Sequence, residues 1–188
     1  MDIILGVSNR HIHLTKEDYE LLFGKDKELE VDRYLLQPEQ FASFSYVDIR
    51  TEKNTIKHVR VLGPFRNYTQ LEVSKTDSYF LGIDPPIADS GELEKASTVE
   101  IVGPNSSITR KCAIIASRHI HISPEQKKEM GLEDVAEVVV HFPSEKETTF
   151  HNVKLKVLKD AVLELHLDTD DANGAFLKTG MKGIIKKQ

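Results

Sequence analysis

The segment Arg10-His-Ile-His13 recurs as Arg118-His-Ile-His121, and this duplication constrains the fold more than any other feature of the chain. Residues 6–18, GVSNRHIHLTKED, align with residues 114–126, IIASRHIHISPEQ, at a constant offset of 108. A weaker echo follows in each half: LEVSKTD at 71–77 and LHLDTD at 165–170 are alike after one gap. Internal likeness of this kind points to two related supersecondary units. A chain of 188 residues can bury either one core or two small ones. The strands VRVLGP at 59–64 and VEIVGP at 99–104 fit neither repeat and mark similar strand-to-turn exits only.

Around the repeats the apolar residues mostly alternate. Val59 and Val61, Leu71 and Val73, Val153, Leu155 and Val157, and Leu163, Leu165 and Leu167 are each interleaved with polar residues. That period of two predicts strands with one face on a core. Helix signals are few. Thr15-Lys-Glu-Asp18 resembles a capping box, with Gly24 as the stop, and Ser123 is a cap followed by proline at the first helical position. Each R-H-I-H therefore ends a strand just before a short helix. The turn-rich stretch Gly82–Gly91 is the expected connection between halves. The expected fold class is mainly β, with two barrel-like or sandwich-like halves and short capping helices.

Composition narrows the function classes. The formal charge is −5 with basic residues dispersed, which excludes the basic stripe of a nucleic-acid-binding surface. One cysteine, Cys112, leaves no intramolecular disulfide and no thiolate zinc cluster, so a reducing, cytoplasmic setting is expected. Cys112 itself reads as an inert core residue. No run approaches the ~20 apolar residues of a membrane span, and the N-terminal residues do not fit a signal peptide.

In an extended strand, residues i and i+2 point the same way, so His11 with His13, and His119 with His121, each present two imidazoles on one face. A single H-x-H is most simply an exposed polar pair. Fold symmetry, however, would preserve only the apolar positions, and here both histidine pairs are kept among eight histidines in all. Metal binding follows as the better reading. A third ligand is needed, and the second echo offers one in each half. Glu72 lies between inward-facing Leu71 and Val73, and His166 between Leu165 and Leu167. Two sites are thus expected, His11, His13 and Glu72 in one, His119, His121 and His166 in the other. Three protein ligands leave an open coordination position, as catalytic sites have. Arg66, in a turn on the approach to Glu72, has the planar donors for a phosphate or is an ordinary surface arginine. Arg10 and Arg118 serve an anion or brace the metal loops. His58, His141 and His151 have no repeat partner and are read as surface or structural.

Four blocks occur in order: SNRHIHLT, GPFRNYTQLE, RHIHISPE and LHLDTDDAN. Over residues 5–175 this set closely resembles the propanediol-utilisation type of phosphate propanoyltransferase, a phosphotransacylase. The resemblance implies reversible conversion of a short-chain acyl-CoA, propionyl or acetyl, plus phosphate into acyl phosphate plus CoA. It implies two β-barrels with a dinuclear zinc site between them. The first barrel would combine residues 1–20 with 113–188 and the second would span 21–112, a sequential split near 85–95 being the alternative. By motif, the two H-I-H pairs, Glu72 and His166 match the family's metal ligands, and Arg66 matches its phosphate-binding arginine. Ser8, Arg60, Leu62 and Asn173 fall where the family contacts CoA. A homodimer is suggested by the same likeness. Encapsulated members carry an extra N-terminal amphipathic peptide. Because the first strand here starts almost at Met1, a free cytoplasmic enzyme is expected beside the microcompartment-lumen alternative.

Thioester phosphorolysis suits such a ligand set, because open metal positions and an arginine can polarise, stabilise and align without a covalent enzyme intermediate. Two rivals differ in class. The spacing from His11 and His13 to Glu17 and Gly24 resembles the first cupin motif, which would mean a single-metal enzyme. A non-enzymatic metal-binding interaction module is the other.

Overall fold

The alternating residues do form strands, and the strands close on themselves. A computed structural model describes residues 1–186. In chain order the elements begin with β1 (Asp2–Ser8), β2 (His11–His13), α1 (Lys16–Phe23), β3 (Val31–Tyr34), β4 (Phe41–Arg50) and β5 (Thr55–Gly63). They continue with β6 (Gln70–Glu72), α2 (Lys75–Leu81), β7 (Ile87–Ala88), β8 (Ser97–Val102) and β9 (Ser107–Ala116). The last are β10 (His119–Ile122), α3 (Pro124–Glu129), β11 (Glu137–Phe142), β12 (Thr148–Val157), β13 (Glu164–Asp168), α4 (Thr169–Gly174) and β14 (Lys182–Lys186).

Two compact units result. The first is Met1–Asn9 together with the chain from Ser117 onward, and the second is Arg10–Ala116. In the first, β1, β13, β10, β12, β11 and β14 form a closed barrel in that order. In the second, β4, β5, β2, β6, β9 and β8 also close, because β8 pairs with both β9 and β4. Strand β3 is added beside β4, and β7 beside β9. The expected mainly β architecture of two barrels with short helices is the observed one. The chain passes between units at 9/10 and 116/117, and Gly82–Gly91 lies wholly within the second unit rather than connecting the two.

The barrels match strand for strand. Strand β2 runs parallel to β5 and antiparallel to β6, and β10 runs parallel to β12 and antiparallel to β13. The parallel partner of β6 is β9, and that of β13 is β1. The strand preceding each R-H-I-H therefore enters the barrel built by the other repeat: β1 joins β10–β14, and β9 joins β2–β8. The exchange is reciprocal. Each barrel has its own core. Ile3, Leu5, Ile120, Val138, Val140, Leu165 and Leu167 fill the first, and Ile12, Val47, Ile49, Val59, Val61, Leu71 and Ile101 fill the second. Among the described residues, no helix is long and apolar enough to cross a membrane.

Helix α1 starts at Thr15, whose side chain accepts from the Asp18 N–H, and stops at Gly24 with φ 97°. Helix α3 starts at Ser123 with a full capping box and Pro124 in its first turn. The T-D pairs of the second echo lie in the first turns of helices α2 and α4.

Candidate active site

In β2 the middle residue, Ile12, points into the barrel core, so His11 and His13 project from the other side of the wall. Antiparallel pairing sets His11 opposite Glu72 and His13 opposite Gln70. His11 Nε2 lies 3.5 Å from Glu72 Oε2, and the two imidazole rings meet edge to face at 5.0 Å. The other Glu72 oxygen, Oε1, accepts a hydrogen bond from Gln70 Nε2 at 2.8 Å. Gln70 is itself held by the Gly91 N–H, which donates to its Oε1 at 2.8 Å. Donor atoms of His11, His13 and Glu72 all lie within 4.8 Å of one another.

The first unit repeats this arrangement with a different third residue. His119 faces His166 across β10 and β13, and His121 faces Glu164. The three imidazole centroids stand 4.8, 5.1 and 4.6 Å apart. His119 Nδ1 is 2.8 Å from the Ser117 carbonyl, so Nδ1 carries the hydrogen and Nε2 the lone pair. That Nε2 stands 3.2 Å from His121 Nε2. His166 Nε2 contacts Glu164 Oε2 at 2.9 Å. These three histidines also bring donor atoms within 4.8 Å of one another. Imidazole nitrogen and carboxylate oxygen, three to a cluster with room for exogenous ligands, are the donor set of an open divalent-metal site. The residues present fit such an ion in both units.

Arg66 belongs to the surroundings of the His11–His13–Glu72 cluster. Its loop leaves β5 after Gly63, and its own N–H donates to the carbonyl of Leu14, the residue after His13, at 3.0 Å. Its Nη1 is buried and has no hydrogen-bond acceptor among the described residues. A buried guanidinium donor in that state is ready for an anion. The other two arginines are braces. Arg10 Nη2 lies 2.7 Å from Asp77, and Arg118 grips Asp171 through Nε and Nη2 at 2.7 and 2.8 Å. Asp77 and Asp171 sit at matching places in α2 and α4, so each R-H-I-H is tied to the helix that follows its third ligand.

The four positions matched to CoA contacts divide between units. Ser8 ends β1 opposite Asp168, and Asn173 is exposed on α4. Leu62 is half-buried and lies opposite His13. Arg60, opposite His11, pairs with Asp32 at 2.6 Å, donates to the Ser43 carbonyl at 2.8 Å and covers the Tyr46 ring at 4.7 Å. Glu17, the carboxylate of the cupin reading, is exposed on α1 and is not part of the His11–His13 cluster. Cys112 is buried in β9, and burial pushes its thiol up to about 12, so it is no nucleophile at neutral pH. His58 stacks on Tyr46, His141 meets Thr149, and the His151 carbonyl lies 3.4 Å from Arg118 Nη1.

Sequence reasoning did not single out Gln70 and Glu164, nor the Asp77 and Asp171 braces. The gap placed in the second echo hid them. Without that gap, QLEVS at 70–74 lies on ELHLD at 164–168, and Asp77 lies on Asp171.

A family model described as phosphate propanoyltransferase matches residues 4–178. A phosphate propanoyltransferase of Thermotoga maritima is 45% identical over 95% of this chain and 86% of its own length. Those of Levilactobacillus brevis and Salmonella arizonae are 43% and 39% identical, over 98% and 92% of this chain and 89% and 83% of their own lengths. With both histidine clusters inside the matched span, the chain belongs to the phosphate propanoyltransferase family and is an acyltransferase.

Proposed function

We propose that the enzyme interconverts a short-chain acyl-CoA, propionyl or acetyl, and phosphate with the acyl phosphate and CoA. A phosphate oxygen attacks the thioester carbonyl carbon, the new C–O bond forms, the C–S bond breaks, and CoA departs as its thiolate. The reading rests on one observation above all. Two equivalent three-donor clusters occur in the chain, and the loop tied to the first of them carries a buried Arg66 donor without an acceptor.

His11, His13 and Glu72 would hold one divalent ion, and His119, His121 and His166 a second, zinc by preference. Such an ion acts as a Lewis acid toward a carbonyl oxygen or a leaving sulfur. Arg66 binds phosphate through its planar donors and holds it for in-line attack. The Leu14 carbonyl fixes the loop that presents it. Ser8, Arg60, Leu62 and Asn173 are assigned to CoA. A homodimer, a role in propanediol degradation, and residence in the cytoplasm or a microcompartment lumen belong to the same reading and are supported by the family resemblance.

Thiol release from propionyl-CoA and acetyl-CoA on addition of phosphate tests the activity. Elemental analysis of the same preparation should find two divalent ions per chain. Arg66→Ala should keep those ions and lose roughly 10²–10³ in turnover, the usual cost of removing a preorganised charge-stabilising donor. Near-normal turnover of that variant at saturating phosphate would overturn the role of Arg66.

A further inference from the structure

Each third ligand has a companion two residues earlier on the same strand, and the two companions are chemically opposite. Gln70 faces His13 across the β2–β6 pair, and Glu164 faces His121 across the β10–β13 pair. Both are buried, at 0% and 8% exposure. In the second unit the third ligand is a carboxylate, and its companion is an amide that donates Nε2–H to Glu72 Oε1 at 2.8 Å. In the first unit the third ligand is an imidazole, and its companion is a carboxylate that accepts from His166 Nε2 at 2.9 Å. Ligand and companion have thus changed together between the two copies. A glutamate at 70 would set two carboxylates against each other, which is costly in a buried place.

The exchange also levels charge. With imidazoles neutral, the His11–His13–Glu72 group contributes one negative charge through its own ligand. The three histidines of the other group contribute none, and Glu164 supplies the missing one from beside His166.

We infer that Gln70 and Glu164 are positioning residues, each matched to the ligand it faces, and that Glu164 makes the all-histidine cluster competent to retain a divalent ion. Glu164 takes the hydrogen on His166 Nε2, which sets the tautomer and ring orientation of His166, and places a negative charge next to the cluster. Gln70, clamped by the Gly91 N–H, leaves Glu72 Oε2 directed at His11. The inference rests on the metal-binding reading given above.

Zinc retention during titration with a competing chelator, with zinc counted per chain, tests it. The wild-type chain should hold two ions. Glu164→Gln keeps the volume and an acceptor but removes the charge, and should weaken one of the two ions by about 10–100-fold, the usual effect of losing such a partner. The other ion should bind as before, and the metal-free Tm should stay near the wild-type value. In the cobalt-substituted chain, the ligand-field spectrum at saturating metal should be unchanged, because Glu164 acts through His166. The double variant Glu164→Gln/His166→Glu installs the pair seen in the second unit and should recover two tightly held ions. Wild-type affinity in Glu164→Gln overturns the inference, as does failure of the double variant to regain affinity or a cobalt spectrum that shows a lost ligand. A wild-type chain holding no ion would remove the metal reading itself, and the inference with it, which is a different result from a loaded enzyme indifferent to Glu164.

Discussion

At Gly6 a single methyl group is already too large. The residue lies on β1 opposite His166, and a Cβ there would collide with Glu164 Oε1 and come within 3.0 Å of Glu164 Cδ and 3.3 Å of His166 Cδ2. The matching place in the other barrel holds Ile114, opposite Glu72 and fully buried. Glycine is therefore required at position 6 by what occupies the space, namely a carboxylate beside an imidazole. Gly6→Ala should push the Glu164 side chain away, because its terminal oxygen is the first atom met and can rotate. Alanine also recovers some of the backbone entropy that glycine loses in a strand, so stability should change by no more than about 1 kcal/mol. The expected outcome is a chain with near-wild-type chemical denaturation that loses one of its two zinc ions to chelator more readily. Two ions retained as tightly as in the wild type would show that Glu164 tolerates displacement. The histidines were legible in the sequence because duplication made them improbable as chance surface residues. Glu164 was not, since a glutamate in E-L-H-L-D looks like any polar residue on the solvent side of a strand.

The elements that sequence reading missed are two short capped helices. Helices α2 and α4 have seven and six residues and show no extended apolar period. Helices this short are marginal on propensity alone. Their ends hold them. Ser74 and Asp77 form a reciprocal capping box at 3.2 Å in each direction, and Asp168 accepts from the Asp171 N–H at 2.8 Å. Arg10 and Arg118, dozens of residues away, then clamp Asp77 and Asp171. The cap of α1 at Thr15 and that of α3 at Ser123 could be read locally, whereas a helix tethered by a distant arginine could not. Asp77→Ala should remove the ion pair and the carboxylate half of the cap, while the Ser74 hydroxyl still accepts from the N–H of residue 77. A whole cap is worth about 1 kcal/mol, and a charge-assisted hydrogen bond to a buried carboxylate is worth ~1.5–3. The Arg10 side chain is 37% exposed, so its share must be discounted for solvent screening. A loss of about 2 kcal/mol in urea denaturation is expected, with Asp77→Asn losing roughly half as much because its amide oxygen still caps. Equal losses for the two variants would mean that the ion pair dominates and the cap contributes little.

At the scale of the whole molecule, the duplication sets the number of barrels, but alternation along a strand does not say which barrel that strand completes. A period of two specifies a buried face and leaves the partner open. Both β1 and β9 carry apolar residues that face a core, and nothing in that pattern forbids either from closing its own repeat. Reciprocal exchange decides otherwise, and it makes the two units unequal as pieces of chain. All six strands of the second barrel lie within the continuous stretch Arg10–Ala116. The first barrel needs β1, which pairs with β13 through five residue positions and with β14 through three. Without it β13 and β14 are left as open edges, and Ile3 and Leu5, 1% and 0% exposed, are missing from the core. Their burial is worth about 1.5–3 kcal/mol each, a large part of the 5–15 kcal/mol that typically separates folded from unfolded domains. A fragment spanning 10–116 should therefore unfold cooperatively on its own. A fragment from 117 to the C-terminus should not, until residues 1–9 are restored as an added peptide or joined by a linker. Thermal unfolding followed by circular dichroism, with and without the nine-residue peptide, separates these cases. Cooperative folding of the C-terminal fragment without β1 would show that the exchanged strand is dispensable to the barrel it closes.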